Sequence, residues 1–424
     1  MRVIVVLCVA LALPGCGGRC ADIAARKHAL VARTAIAPGP HAEVRVPFAR
    51  ANALLATLVH DQPIRVPIAL PALGPISLPI HELTAVARDV ELRPGPPDRV
   101  RFAIRIELDD AQQPITTLAV EAEVEPQLIR AGETGELVAG FGPENLRAGT
   151  PELDAAAGRA LGDAIARWVP FGNRLPRAML DRAAQQLGGY LTGEAYQLLR
   201  TTLLRRLGEL TRLRLRLPAL PIAKTRLRSS ADALTVELTT DLPVRGGLAA
   251  RTVASDDVTV RISASTAAEL ANWSIAHGHL PERYTRDLDP RPDGAYRPIF
   301  DYVAGDRRPA KLHVFQERGG CSYFGVGLRF QIRIADDKLE VEALDRLVEA
   351  ADASAPLEAG LWLKQLIQGP VDRSYRAAAH TQLAAGGRWF ATRVTRAAVV
   401  GDELEMALEL TALPGVRDTQ PIVK

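Results

Sequence analysis

A chain of 424 residues that is 47% apolar and 24% charged is long enough for two hydrophobic cores and too apolar for wholesale disorder. Aromatic residues make up only 5%, which argues against stacking on bases or sugars. A net charge of +3 is too small for a nucleic-acid binder without a concentrated basic patch.

The first elements are targeting signals. Arg2 precedes an apolar run from Val3 to Leu13, too short to span a bilayer and suited to a secretory signal peptide over 1–15. The run leads into "LPGC", which resembles the lipobox of bacterial lipoproteins. That resemblance implies that Cys16 becomes the lipidated first residue; a signal peptide cut elsewhere is the other reading. Gly17 stands where aspartate commonly marks inner-membrane retention, so the expected site is the bacterial outer membrane, facing the periplasm or the cell surface. Cys8 leaves with the signal peptide, and the spacing of Cys20 and Cys321 leaves a disulfide and two free thiols equally open. Residues 16–42, ending in "APGPHA", read as lipidated N-terminus and tether.

From Glu43, "EVRVPFARANALLATLV" predicts a short strand and then a short amphipathic helix. "PIALPALGPISLPI", residues 67–80, carries no charge and four prolines, which suits an edge or bulged strand. Val100, Phe102, Ile104, Ile106 and Leu108 then alternate with Arg101, Ala103, Arg105, Glu107 and Asp109. Leu118, Val120, Ala122 and Val124 do the same against Glu121, Glu123 and Glu125, with "DDAQQP" between them, so a hairpin is expected. The period changes from Pro151 to about Leu210. Leu153, Ala157, Leu161, Ile165 and Trp168, then Met179, Ala183, Leu187 and Leu191, predict amphipathic helices interrupted at Pro170 and Pro176. "RLRLRLP" restores period two up to Pro218, and Leu234, Val236 and Leu238 continue it.

The second half repeats the order. "TVRISASTAAELANWSI" begins at Thr259, and laying Val44 on Val260 puts Val46 on Ile262, Leu54 on Leu270 and Val59 on Ile275. Leu328, Phe330, Ile332 and Ile334 alternate with Arg329, Gln331, Arg333 and Ala335, followed by a helical stretch from Leu357 and a closing strand carrying Leu404, Met406, Leu408 and Leu410. The expected fold is α+β in two tandem repeats, 43–247 and 248–424, joined near Gly246 and Gly247. Each repeat is a long helix packed along a highly twisted antiparallel sheet.

Three stretches, "VRVPFARANALLATLV", "VTVRISASTAAELANWSIAHGHL" and "IALPALGPISLPIHELTAVARDVEL", make residues 43–414 similar to the tubular lipid-binding (TULIP) superfamily, which includes the bactericidal/permeability-increasing protein. The resemblance implies an elongated tubular architecture that holds acyl chains of phospholipid, fatty acid or lipopolysaccharide between helix and curled sheet, without catalysis. Expected lining residues are Leu54, Leu58, Phe102, Ile104, Ile106, Leu118 and Val120 in the first copy, and Leu270, Trp273, Leu328, Phe330 and Ile332 in the second. The polar run "RYTRDLDPRPDGAYRPIFDYVAGDRRP" departs from the family pattern and counts against a second pocket. A filled interior with a structural role is the competing reading, because alternation alone does not separate a hollow core from a solid one.

Catalytic signatures are missing: the sequence has no Gly-x-Ser-x-Gly elbow, no phosphate-cradling Gly-rich loop and no His-Glu-x-x-His, so no cofactor or metal is expected. His277 and His279 lack a nearby third ligand, and the pairs Asp109 with Asp110, Asp256 with Asp257 and Asp336 with Asp337 suit turns. "NWS" at Asn272 matches a glycosylation acceptor by letters only. Arg212, Arg214 and Arg216 share a strand face, with Arg205 and Arg206 upstream, and are read as a solvated face with lipid phosphate as the alternative partner.

Overall fold

The alternating stretches become long antiparallel strands in the computed structural model. It describes residues 18–417 apart from 60–62, 70–79, 111–112, 126, 132–135, 141–145, 154–155, 170, 194–196, 198–200, 202–212, 217–220, 252–254, 286–288, 336–337, 353–376, 379 and 386–387. Cys16, Arg205, Arg206, Arg212 and the helical stretch expected from Leu357 lie outside the described residues, as do the side chains of Leu58, Arg214 and Arg216.

In chain order, helix α1 (18–31) is followed by β1 (Ala42–Pro47), α2 (Phe48–Val59), β2 (Pro63–Ala69), β3 (Ile80–Pro94), β4 (Val100–Asp110), β5 (Gln113–Val124), β6 (Gln127–Ala131), β7 (Glu136–Gly140), β8 (Leu146–Leu153), α3 (Ala157–Trp168), α4 (Arg177–Thr192), β9 (Leu213–Arg216), β10 (Ile222–Ser229) and β11 (Ala233–Thr240). The remainder is β12 (Val258–Ser263), α5 (Ala264–Ala276), β13 (Tyr296–Tyr302), β14 (Ala310–Gln316), β15 (Tyr323–Ala335), β16 (Lys338–Asp352), β17 (Ala377–Ala378), β18 (His380–Ala385), β19 (Arg388–Val400) and β20 (Glu403–Arg417). The class is therefore α+β, with antiparallel sheets and few helices.

The described residues form three sheets. The first takes the order β2-β3-β4-β5-β8, the second β13-β14-β15-β16-β17, and a ten-stranded central sheet runs β10-β11-β1-β12-β20-β19-β18-β9-β7-β6. β2, with Pro63 and Pro67, is an edge strand, where a missing ladder donor is tolerated. The polar run of residues 283–309 supplies β13, the edge strand of the second sheet, which pairs with β14.

The first sheet has a solid core. On β4, Phe102 and Ile106 retain no accessible surface, and they join Leu118 on β5 and Leu161, Ile165 and Leu187 on α3 and α4 in one buried cluster. The helical stretch expected from Leu153 starts instead at Ala157, because Leu153 is still in β8, paired with Leu118. The inward residue of α4's first turn is Leu180, whereas Met179 is exposed. Gly172, in the turn between these helices, has no room for a side chain against the Ala166 carbonyl.

The stretch expected as a tether carries α1, which packs onto the second sheet. Ile23 is buried with Ile299, Phe315 and Tyr323, and Cys20 forms a disulfide with Cys321, with Cα atoms 5.5 Å apart. The Arg33 guanidinium donates two bonds to Asp301, at 2.6 and 2.9 Å, and Lys27 pairs with Glu317.

Candidate functional site

Around β1 and β12 of the ten-stranded sheet the usual arrangement of a sheet is inverted. β1 and β12 run antiparallel with Val44 opposite Val260, flanked by β11 and β20. The polar face of these strands is the buried one: Arg261 is 1% exposed, Glu403 4%, and Arg45, Thr259, Ser263 and Glu405 are buried too. Arg261 donates to both oxygens of Glu403 at 2.7–2.8 Å, to Glu43 at 2.6 Å and to the carbonyls of Ala249 and Arg251. Burial alone would raise the Glu403 carboxyl, but the bonds from Arg261, the Ala249 amide and Arg251 outweigh it and hold the group below the ordinary glutamate range. An ion pair this well satisfied tolerates burial; a lone charge there would not.

The apolar face of the same strands is partly covered: Val258 is buried, and Val46, Leu234, Val236 and Leu410 pack against the first core. Val44, Val260, Ile262, Leu404, Met406 and Leu408 all keep part of their surface, although their alternation marks them as the inward face. A second half-buried apolar row lies on β15, which passes against β19 beside β20. It consists of Leu328, Phe330, Ile332 and Ile334 between Arg329, Gln331 and Arg333. Of these, Leu328 packs against a small buried cluster of Val314, Phe324 and Val326. On the paired strand β16, Leu344 and Leu347 are each 49% exposed.

The expected lining residues therefore divide. Phe102, Ile104, Ile106, Leu118 and Val120 are walls of the solid first core, with Leu54 half-buried against it. Leu328, Phe330 and Ile332 share a strand face that is not filled, and Leu270 and Trp273 are half-buried on α5. Residues lining a hollow open to a water-sized sphere would keep accessible surface, and Phe102 and Ile106 keep none. A cavity of about 480 Å³ does adjoin Ile104 and Val120, around the bulge between Ala87 and Asp89. Its wall is mostly apolar, with Ala56, Ala87, Val90, Ile104 and Val120, and charged pairs flank it: Arg93 with Glu91 at 2.8 Å and Glu121 at 3.0 Å, and Arg105 with Asp89 at 3.6 Å.

Two half-buried polar devices escaped sequence reasoning. The Asn52 side chain on α2 donates to the Leu92 carbonyl and accepts from its amide, and Asn272 on α5 does the same with Phe300. Each asparagine ties a helix to a strand backbone, so the Asn272 amide is spent inside the fold. Beneath α1, Glu269 lies 3.8 Å from Arg33, and burial pushes its carboxyl up. His313 shares a 2.8 Å hydrogen bond with the Tyr323 hydroxyl, and burial pushes its pKa down. The repeat alignment, which lays Arg45 on Arg261, was the one available pointer to the buried arginines.

Among the described residues no group of three or more His, Cys, Asp or Glu could hold a metal ion. His277 and His279 are exposed beside the Trp273 ring, and His277 Nδ1 donates to the Trp273 carbonyl at 2.8 Å. No helix among the described residues is long and apolar enough to cross a membrane.

No family model and no curated protein matches the chain. Among solved structures it resembles lipopolysaccharide binding protein, with a TM-score of 0.26 and 9% identity over 88% of this chain and 100% of that one. It also resembles P47 from Clostridium botulinum A2, with a TM-score of 0.28 and 8% identity over 89% of this chain and 82% of the other. Both the TM-scores and the identities are low, so the functional reading rests on the chain's own residues.

Proposed function

We propose that the chain is a non-catalytic lipid-binding lipoprotein of the bacterial envelope, anchored through Cys16. It takes acyl chains of phospholipid, fatty acid or lipopolysaccharide against the half-buried apolar face of the central sheet and β15. The inverted burial of the central sheet carries this reading. A sheet that hides Arg261 and Glu403 while leaving Val260, Ile262, Leu404, Met406 and Leu408 only partly buried has a greasy side that an apolar cover would complete. Each methylene laid there gains about 0.8 kcal/mol, so an ordinary acyl chain gains on the order of 10 kcal/mol before ordering costs.

The same reading takes 43–247 and 248–424 as two copies of one plan. Supporting it, Arg45 pairs with Asp232 just before β11 as Arg261 pairs with Glu403 at the start of β20, and Asn52 and Asn272 tie helix to strand alike. The two opening strands lie side by side with Val44 against Val260.

Native mass spectrometry of a chain starting after Cys16 tests the proposal. Bound phospholipid, fatty acid or lipopolysaccharide at a defined stoichiometry is the expected result. A chain that emerges ligand-free from native purification, and takes up none of these lipids from vesicles, refutes it. The second reading, a structural envelope lipoprotein without ligand, is favoured by the solid first core, and that ligand-free outcome is what it predicts.

A further inference from the structure

Residues 16–20 place a limit on where a lipid anchor could sit. Cys20 is bonded to Cys321, which ends the turn between β14 and β15. Four Cα steps separate Cys16 from Cys20, so whatever path they take they reach no more than about 15 Å. The remainder of α1 is held as well: Ile23 is buried against Phe315 and Tyr323, the Arg26 guanidinium lies 4.6 Å over the Tyr323 ring and Lys27 pairs with Glu317, and just beyond the helix Arg33 pairs with Asp301. The start of α1 therefore cannot swing away from this turn without breaking a covalent bond and a packed face.

We infer that the β14–β15 turn is the membrane-facing end of the protein, held against the phospholipid surface by the Cys20–Cys321 clamp. This rests on the anchored, lipid-binding reading above and adds an orientation to it. The turn suits a headgroup surface. Arg318, Gly319 and Gly320 are exposed and carry no bulky apolar group, while the neighbouring Glu317 carboxylate is matched by Lys27 and by Arg283 at 3.0 Å. β15 starts two residues after Cys321 and leads away from that end. Leu328 is about 17 Å along the strand from Tyr323 and Ile332 about 30 Å. The apolar row of β15 thus begins near the bilayer and points outward from it, the direction in which an acyl chain leaving a membrane would travel.

Förster transfer on the full-length acylated protein tests the orientation. The chain is reconstituted into phosphatidylethanolamine/phosphatidylglycerol vesicles containing an acceptor-labelled lipid, with the donor on a non-natural side chain replacing either Arg318 or Lys338. Lys338 opens β16 at the opposite end of the hairpin, about 40 Å along β15 from Tyr323. Transfer from position 318 should exceed that from 338 several-fold. A Gly/Ser linker of about 20 residues inserted between Gly17 and Gly18 leaves the fold untouched and should abolish most of the difference. Equal transfer from the two positions overturns the orientation alone, and a difference that survives the linker overturns the role of the Cys20–Cys321 clamp in setting it. Failure of Cys16 to incorporate radiolabelled palmitate, with Cys16→Ser as the blank, overturns the anchor and the orientation with it.

Discussion

The first and second sheets are written in the same alternating pattern and end in different environments. On β4 and β5 the apolar residues meet α3 and α4 and become a solid core in which Phe102 and Ile106 are fully enclosed. On β15 the same spacing leaves Phe330 and Ile332 half-buried. What separates them is the partner, since the first sheet has two amphipathic helices within its own half to close over it. The apolar row of the second sheet lies beside a central sheet whose apolar face is also incompletely covered. Alternation specifies a face, and the neighbour decides whether that face is core or binding surface.

Four measurements break or sharpen this contrast. The largest effect belongs to Phe102→Arg, which forces a charge into a filled core; a loss of about 5 kcal/mol or more, comparable with total domain stability, should abolish cooperative unfolding by circular dichroism. A folded variant that merely loses lipid would show instead that the first sheet encloses a ligand. Next is Arg261→Ala, which leaves Glu403 buried without its main partner and should cost about 3–5 kcal/mol in urea unfolding. Combining it with Glu403→Leu should recover a large part of that loss, and no recovery would mean that the pair is not the unit it appears in the geometry.

Phe330→Arg and Met406→Arg come third for stability and first for function. At half-buried positions each should cost about 1 kcal/mol while sharply reducing bound lipid in native mass spectrometry. Unchanged lipid in both variants removes the apolar face from the proposal. The smallest effect is one of pH. Because burial lowers the folded-state pKa of His313, its contribution is fully present above the unfolded histidine value of about 6.5 and is lost as pH falls below it. Glu269, raised by burial, works in the opposite sense at lower pH, its protonation on acidification favouring the folded state. His313→Gln should therefore flatten the fall in Tm between pH about 7 and 5.5; an equally steep fall in the variant assigns the slope to another group.

Much of the architecture was legible from period alone. β4, β5 and β15 fall on their alternating stretches, Pro67 lies on the edge strand β2 while 70–79 of the proline-rich stretch lie outside the described residues, and α3 and α4 bury Leu161, Ile165, Leu187 and Leu191 as the helical spacing requires. Boundaries were less legible, as Leu153 illustrates: its helical spacing to Ala157 is real, but pairing with Leu118 keeps it in a strand. The stretch 16–42 misled because its Pro- and Gly-rich end resembles a linker, while the disulfide and the burial of Ile23 that make α1 part of the fold involve partners some 300 residues away. For the candidate site, the β15 row was readable, whereas the central face was not, because acids at Glu403 and Glu405 look like a solvated edge until Arg261, Arg251 and Arg396 are brought beside them.

By itself the sequence determined which residues alternate and which side of each alternating strand is apolar, because these depend on backbone geometry within a few residues. Tertiary structure alone decided that the first interior is filled, that the central sheet hides its charges and half-exposes its leucines, and that Cys20 meets Cys321. Each of those outcomes depends on the volume and charge of a neighbour far away in the chain, and local periodicity carries no information about that neighbour.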